Sequence, residues 1–160
     1  MENENFSIAE AVLNKARIKN LKISCSESCT GGLVGAALTE IPGSSDVFNG
    51  SAVTYSNEAK KKILGVKEDT LTKFGAVSEE CAKEMAQGSL KIYNSDFAVS
   101  ITGIAGPDGG TALKPVGTVC FAIASKDNVK TLTKKFSGSR SEIRDRAKNF
   151  ALAELLKALC

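Results

Sequence analysis

Two hydrophobic periodicities alternate along the 160 residues of this chain, and that alternation constrains its fold more than any other feature. Segments with apolar residues three and four apart, the spacing of a half-buried helix, take turns with short apolar runs bounded by turn-forming residues, the mark of a buried strand. Residues 6–19 set Ile8, Ala9, Val12, Leu13 and Ala16 on one helical face, and residues 21–25 follow as a strand. Residues 30–40 read as a helix with Leu33, Val34, Ala37 and Leu38 inward, stopped by Pro42 and Gly43. Residues 48–56 read as a strand, 57–63 as a short helix closed by Gly65, 78–94 as a helix and 96–102 as a second buried strand. After a loop carrying Gly103, Gly106, Gly109 and Gly110, residues 116–124 and 129–136 read as a hairpin. Ser139 and Glu142 form a capping-box pattern ahead of a last helix that carries Ile143, Ala147, Phe150, Leu155 and Leu159. Strands alternating with helices, with a hairpin added, predict an α/β fold: a three-layer α/β/α sandwich around a mixed sheet, in a single domain over residues 1–160.

The chain contains no histidine. That rules out a Ser-His-Asp triad, a Cys-His dyad and any histidine-based metal centre. A general base working near neutral pH must then be a carboxylate, a lysine, a tyrosine or a thiolate. Twenty-one basic and 18 acidic residues leave a net charge of +3, too mild to suggest nucleic acid or a membrane surface as partner. The five cysteines are odd in number and scattered, which fits reduced thiols better than a disulfide framework. The start of the chain, MENENFSIAE, lacks the basic and apolar stretches of a signal peptide, and no apolar run approaches the ~20 residues of a membrane span. A cytoplasmic protein is expected.

Four segments are candidates for chemistry. In SCSESCTGG (24–32), a strand gives way to a helix within a few residues, with Ser28 at the junction ahead of Thr30, Gly31 and Gly32. Free amides at a helix start can hold an anion or an oxyanion, and a serine in such a turn presents its oxygen to them. From spacing alone the better reading is a plain N-cap, Ser28 or Thr30, with close-packing glycines. In VTYSNEAKKKILG (53–65), three successive lysines normally mark a solvated face, but Lys60 lies in the first turns of a helix that follows Tyr55. A lysine acts as a base only where burial or nearby cations lower its pKa. In SITGIAGPDGGTALKPVGTV (100–119), the glycine spacing matches neither a dinucleotide fingerprint nor a phosphate-binding P-loop, and Asp108 caps the loop or faces a ligand. On the last helix Arg140, Arg144 and Lys148 recur every four residues, a pattern that suits phosphate, although on spacing alone a solvated face is the better reading.

Taken together, ESCTGG (27–32), PGSSDVF (42–48), VTYSNEAK (53–60), GAVSEE (75–80), SITGIAGPDGG with KPVGTV (100–119) and FSGSR (136–140) resemble the C-terminal domain of the competence-damage-inducible family CinA across nearly the whole chain. With no molybdopterin-binding-like domain ahead of it, the chain resembles the stand-alone form, whose members include nicotinamide-nucleotide amidases. The resemblance implies hydrolysis of the carboxamide of nicotinamide mononucleotide to nicotinate mononucleotide and ammonia, without metal or organic cofactor. It also implies roles: Ser28 as nucleophile, Lys60 as base and Tyr55 assisting. Thr30, Gly31, Gly32, Thr102, Gly103 and Gly106 would line the substrate pocket, and Arg140, with Arg144 behind it, would hold the phosphate. Cys29 is a rival nucleophile by composition, but the motif points to the serine. A non-catalytic nucleotide-binding or regulatory module is the alternative. The apolar LAELLKAL segment leaves open packing within the domain or against another subunit, and so a homo-oligomer.

Overall fold

The computed structural model describes residues 7–160. Its elements run α1 (Ile8–Lys19), β1 (Ile23–Glu27), α2 (Leu33–Thr39), a 3-10 turn (Ser44–Asp46), β2 (Phe48–Val53), α3 (Asn57–Leu64), α4 (Glu68–Phe74), α5 (Glu79–Tyr93), β3 (Phe97–Gly103), β4 (Thr118–Ser125), β5 (Val129–Lys135) and α6 (Arg140–Leu159). The strands form one mixed sheet in the order β2-β1-β3-β4-β5. β1 is parallel to both of its neighbours, while β3–β4 and the predicted hairpin β4–β5 are antiparallel.

Local chemistry sets most helix starts. Ser7, Ser56, Ser78 and Ser139 each accept the amide three residues on, and Ser139 with Glu142 closes the expected capping box. Several boundaries move, among them the start of α2, at Leu33 rather than residue 30, and that of β4, at Thr118 rather than residue 116. β1 runs two residues further than the apolar run suggests, through Ser26 and Glu27, and β2 ends at Val53, short of Tyr55. Helix α4 has no counterpart in the sequence reading.

Helices cover both faces of the sheet. One face buries bulky residues: Ile23 and Cys25 of β1, Val99 and Ile101 of β3, and Val119, Phe121 and Ile123 of β4, against Leu13 of α1, Val34 and Leu38 of α2, and Ile143 and Leu155 of α6. Phe121 packs against Phe150 with the rings tilted by 55° at 4.8 Å and meets Phe136 edge-on at 6.2 Å. The opposite face carries small residues. Cys120, Ala122 and Ala124 meet Ala82 and Ala86 of α5, and Ala52 of β2 meets Leu64, Cys81 and Met85. No helix among the described residues is long and apolar enough to cross a membrane.

Candidate active site

The parallel strands β1, β2 and β3 end side by side, and a crevice beyond such carboxyl ends is the usual place for a ligand in an open α/β sheet. Here it holds a cavity of about 230 Å³. Ser28 follows β1 directly. Its amide still donates to Ile101 O of β3, and its carbonyl accepts from Gly31 N, so a tight turn presents the side chain at the sheet's edge. Ser28 is 7% exposed.

Lys60 reaches the same point from α3. Ser56 caps that helix, placing Lys60 on its buried side while Lys62 faces solvent. Lys60 is 1% exposed. Its Nζ lies 2.9 Å from Ser28 Oγ and donates to Thr54 O at 2.8 Å and Tyr55 O at 3.1 Å. None of these three partners carries a charge. Burial lowers the Lys60 pKa from its ordinary value. The neighbouring Cys29 and Cys81 thiols are themselves pushed up to about 11 by burial, so near neutral pH they remain protonated and supply no countercharge. The same shift removes Cys29 as a ready thiolate.

The other residues singled out in the sequence divide. Tyr55, Thr102, Gly103 and Arg140 line the cavity with Ser28 and Lys60. Tyr55 is exposed, and its hydroxyl accepts from Arg140 Nη2 at 3.2 Å, so its tie to Lys60 runs through its backbone carbonyl. Thr102 donates to Ala76 O, fastening the end of β3 to the segment ahead of α5. Gly106 lies behind the rim. Its carbonyl accepts from Arg140 Nη1 at 2.7 Å, and its φ of +76° with a Val116 methyl 2.4 Å from any added Cβ leaves room for glycine alone.

The turn after Ser28 departs from the expected free anion cradle. The amides of Gly32, Val34 and Gly35 and the Thr30 hydroxyl are all taken by the Glu27 carboxylate, and the Gly31 amide by Ser28 O. Thr30, Gly31 and Gly32 therefore shape the turn, and Cys29, next after Ser28, is the member of the run that reaches the cavity wall. The basic stripe on α6 also separates. Arg140 sits at the cavity rim, Lys148 pairs with Asp145, and Arg144 donates Nε to Cys29 O at 3.0 Å and Nη2 to Thr30 O at 3.2 Å. Sequence reasoning missed Asn57, Ala76, Val77 and Ala105 in the wall. Asn57 was within reach of it, since it stands three residues before Lys60 on the same helix. Among the described residues, no cluster of three or more cysteine, aspartate or glutamate side chains is placed to hold a metal ion.

Comparison with known proteins gives consistent neighbours. The family model of the CinA C-terminal domain matches residues 5–159. Over 157 residues the chain is 54% identical to the CinA-like protein of Endomicrobium trichonymphae, covering 98% of this chain and 36% of that protein. With the CinA-like protein of Fervidobacterium nodosum it shares 52% over 140 residues, 88% of this chain and 34% of that one. The chain thus spans about a third of the length of these relatives. Two solved structures align almost end to end. The competence/damage inducible protein CihA of Agrobacterium tumefaciens has a TM-score of 0.90 at 44% identity, with 99% of both chains covered. A competence-damaged protein (CinA) superfamily protein of Klebsiella pneumoniae reaches 0.92 at 35% identity, with 95% of both chains covered.

Proposed function

This chain belongs to the CinA C-terminal domain family, and from that premise we propose that it is an amidohydrolase that removes the carboxamide nitrogen of nicotinamide mononucleotide through a serine–lysine pair. The observation that carries the proposal is the 2.9 Å approach of Ser28 Oγ to the nitrogen of a lysine that is 1% exposed and has only neutral neighbours. Two carbonyls, of Thr54 and Tyr55, take two N–H bonds of a neutral Lys60 amine. The lone pair is then turned toward Ser28, which is what a base needs.

In the proposed reaction Lys60 takes the Ser28 hydroxyl proton as Oγ bonds to the carboxamide carbon. The Cys29 amide, on the residue after the nucleophile, receives the oxyanion. The C–N bond then breaks, and Lys60 returns the proton to the departing nitrogen, releasing ammonia and leaving an ester on Ser28. Water, deprotonated by Lys60, attacks that ester; Lys60 passes the proton to the departing Ser28 oxygen, restoring serine and neutral lysine, and the acid product loses its own proton to ammonia or solvent to become the carboxylate.

The cavity supports a substrate of this shape. At about 230 Å³ it is smaller than the ~300–1,000 Å³ of pockets that enclose a whole drug-sized ligand. It suits an aromatic amide head, with the sugar phosphate extending to the rim, where the Arg140 guanidinium is held by Gly106 O and the Tyr55 hydroxyl. Protein incubated with nicotinamide mononucleotide is expected to release ammonia, and Ser28→Ala and Lys60→Ala are each expected to lose at least ~10³-fold in rate. Full activity in either variant would remove that residue from the chemistry. Binding of the mononucleotide by wild type without turnover would make the domain a nucleotide-binding module instead.

A further inference from the structure

Glu27 is the residue before the nucleophile, and it is 0% exposed. Strand alternation turns its side chain to the face of the sheet opposite Ser28. There Oε1 accepts the Thr30 hydroxyl at 2.8 Å and the amides of Gly32 and Val34 at 3.2 and 3.0 Å. Oε2 accepts the Gly35 amide at 3.1 Å and the Ser51 hydroxyl at 2.8 Å. No lysine or arginine pairs with it among the described residues. A buried carboxylate without a cation is costly unless donors surround it, and an apolar residue would fill the space at less cost. What the carboxylate adds is connection. It ties the residue preceding Ser28 to the turn, to the first residues of α2 and, through Ser51, to β2.

That last link reaches the base. Thr54 N donates to Glu27 O, and Thr54 O is one of the two carbonyls that hold Lys60 Nζ. Glu27 thus bonds with its side chain to the Ser28 turn and to β2, and with its backbone to the residue that anchors Lys60. From the other side Arg144 grips the carbonyls of Cys29 and Thr30. The turn is held between an anion taking its donors and a cation taking its acceptors.

We propose that Glu27 is a positioning residue for the Ser28–Lys60 pair, fixing the nucleophile turn and the lysine's anchoring strand relative to each other. The inference rests on the serine–lysine reading above. It is tested with Glu27→Gln in the full chain. The side chain keeps its size, but its NH₂ must face amide or hydroxyl donors where an acceptor stood. Three quantities are read: kcat and KM for nicotinamide mononucleotide, the rate at which an alkyl fluorophosphonate labels Ser28, and cooperative thermal unfolding. The expected result is a loss of about 10²-fold in kcat, the scale of an ångström of misplacement, with a parallel loss in labelling rate, an unmoved KM and a retained unfolding transition. Ser51→Ala, which removes one donor from the far end of the link, is expected to lower kcat and labelling in the same direction by a smaller factor. It carries the test if Glu27→Gln does not fold. Wild-type kcat and labelling in folded Glu27→Gln, or a loss that tracks only the unfolded fraction, would overturn the proposal. A wild-type protein that labels at Ser28 yet releases no ammonia would refute the substrate reading. The labelling ratio between variant and wild type would still decide this one.

Discussion

Lys60 concentrates what is unusual in this chain at the scale of one residue. Its pKa is lowered by burial, so in the folded protein it gives up its proton at a pH where an exposed lysine keeps it. The rate of the proposed reaction should therefore rise with pH as Lys60 deprotonates, with its inflection below 10.5. A pH–rate profile flat across that range would exclude Lys60 as the base. Stability follows the same linkage. Between the folded pKa and the ordinary lysine value the unfolded chain binds more protons, so Lys60 makes folding more favourable as pH rises through that window and penalises it below. Lys60→Met, which keeps the stem and discards the amine, should lack this rise, so its stability relative to wild type should fall as pH climbs toward 10.5, measured by denaturant midpoints across pH. In the sequence, a place in the first turns of the helix after Tyr55 sets Lys60 only slightly apart from Lys61 and Lys62. Its burial depends on the register of that helix against the rest of the protein, and it is the resemblance of the YSNEAK stretch to its family that implies a role for it.

At the scale of elements, what was legible was local. Helices α5 and α6 show because Ser78 and Ser139 cap them within the chain's own next turn. Helix α4 was not legible. It has seven residues and no side-chain cap, and it is held by Glu84 of α5, which accepts the Lys67 amide and the Thr70 hydroxyl. No short window contains that partner. The Ser28 turn behaves in the same way: its strand-to-helix character was readable, but Glu27, which fills the helix start, and Arg144, from far along the chain, were not. Close packing between elements is equally hidden. Gly88 on α5 lies against the end of α3, where an added Cβ would stand 2.1 Å from Leu64 O. Elsewhere in a helix an alanine for glycine gains ~1 kcal/mol. Here the obstacle is backbone, and Gly88→Ala should destabilise by about 1–3 kcal/mol, read as a lower denaturant midpoint at constant slope.

Over the whole molecule, the fold class follows from alternating periods, but the two faces of the sheet do not. β4 is buried along nearly its full length, so its sequence gives no clue to which side faces which helix. The structure resolves it: bulky residues meet α1, α2 and α6, and small ones let α5 lie close. The proposed Ser28–Lys60 pair depends on a different global feature, the pairing of the strands. Ser28 comes from β1 and Lys60 from the helix after β2, so the two meet only if the parallel pair β1–β2 is in register, with Glu27 beside Val53. A slip of one residue would send Ser28 to the other side of the sheet. The contact is in effect a clock on folding. Parallel pairing is non-local and slow to form, and the serine's reactivity cannot return before it. During refolding, fluorophosphonate labelling of Ser28 should never run ahead of hydrogen-exchange protection in β1 and β2. Labelling that returned first would mean that the pair assembles without its strands.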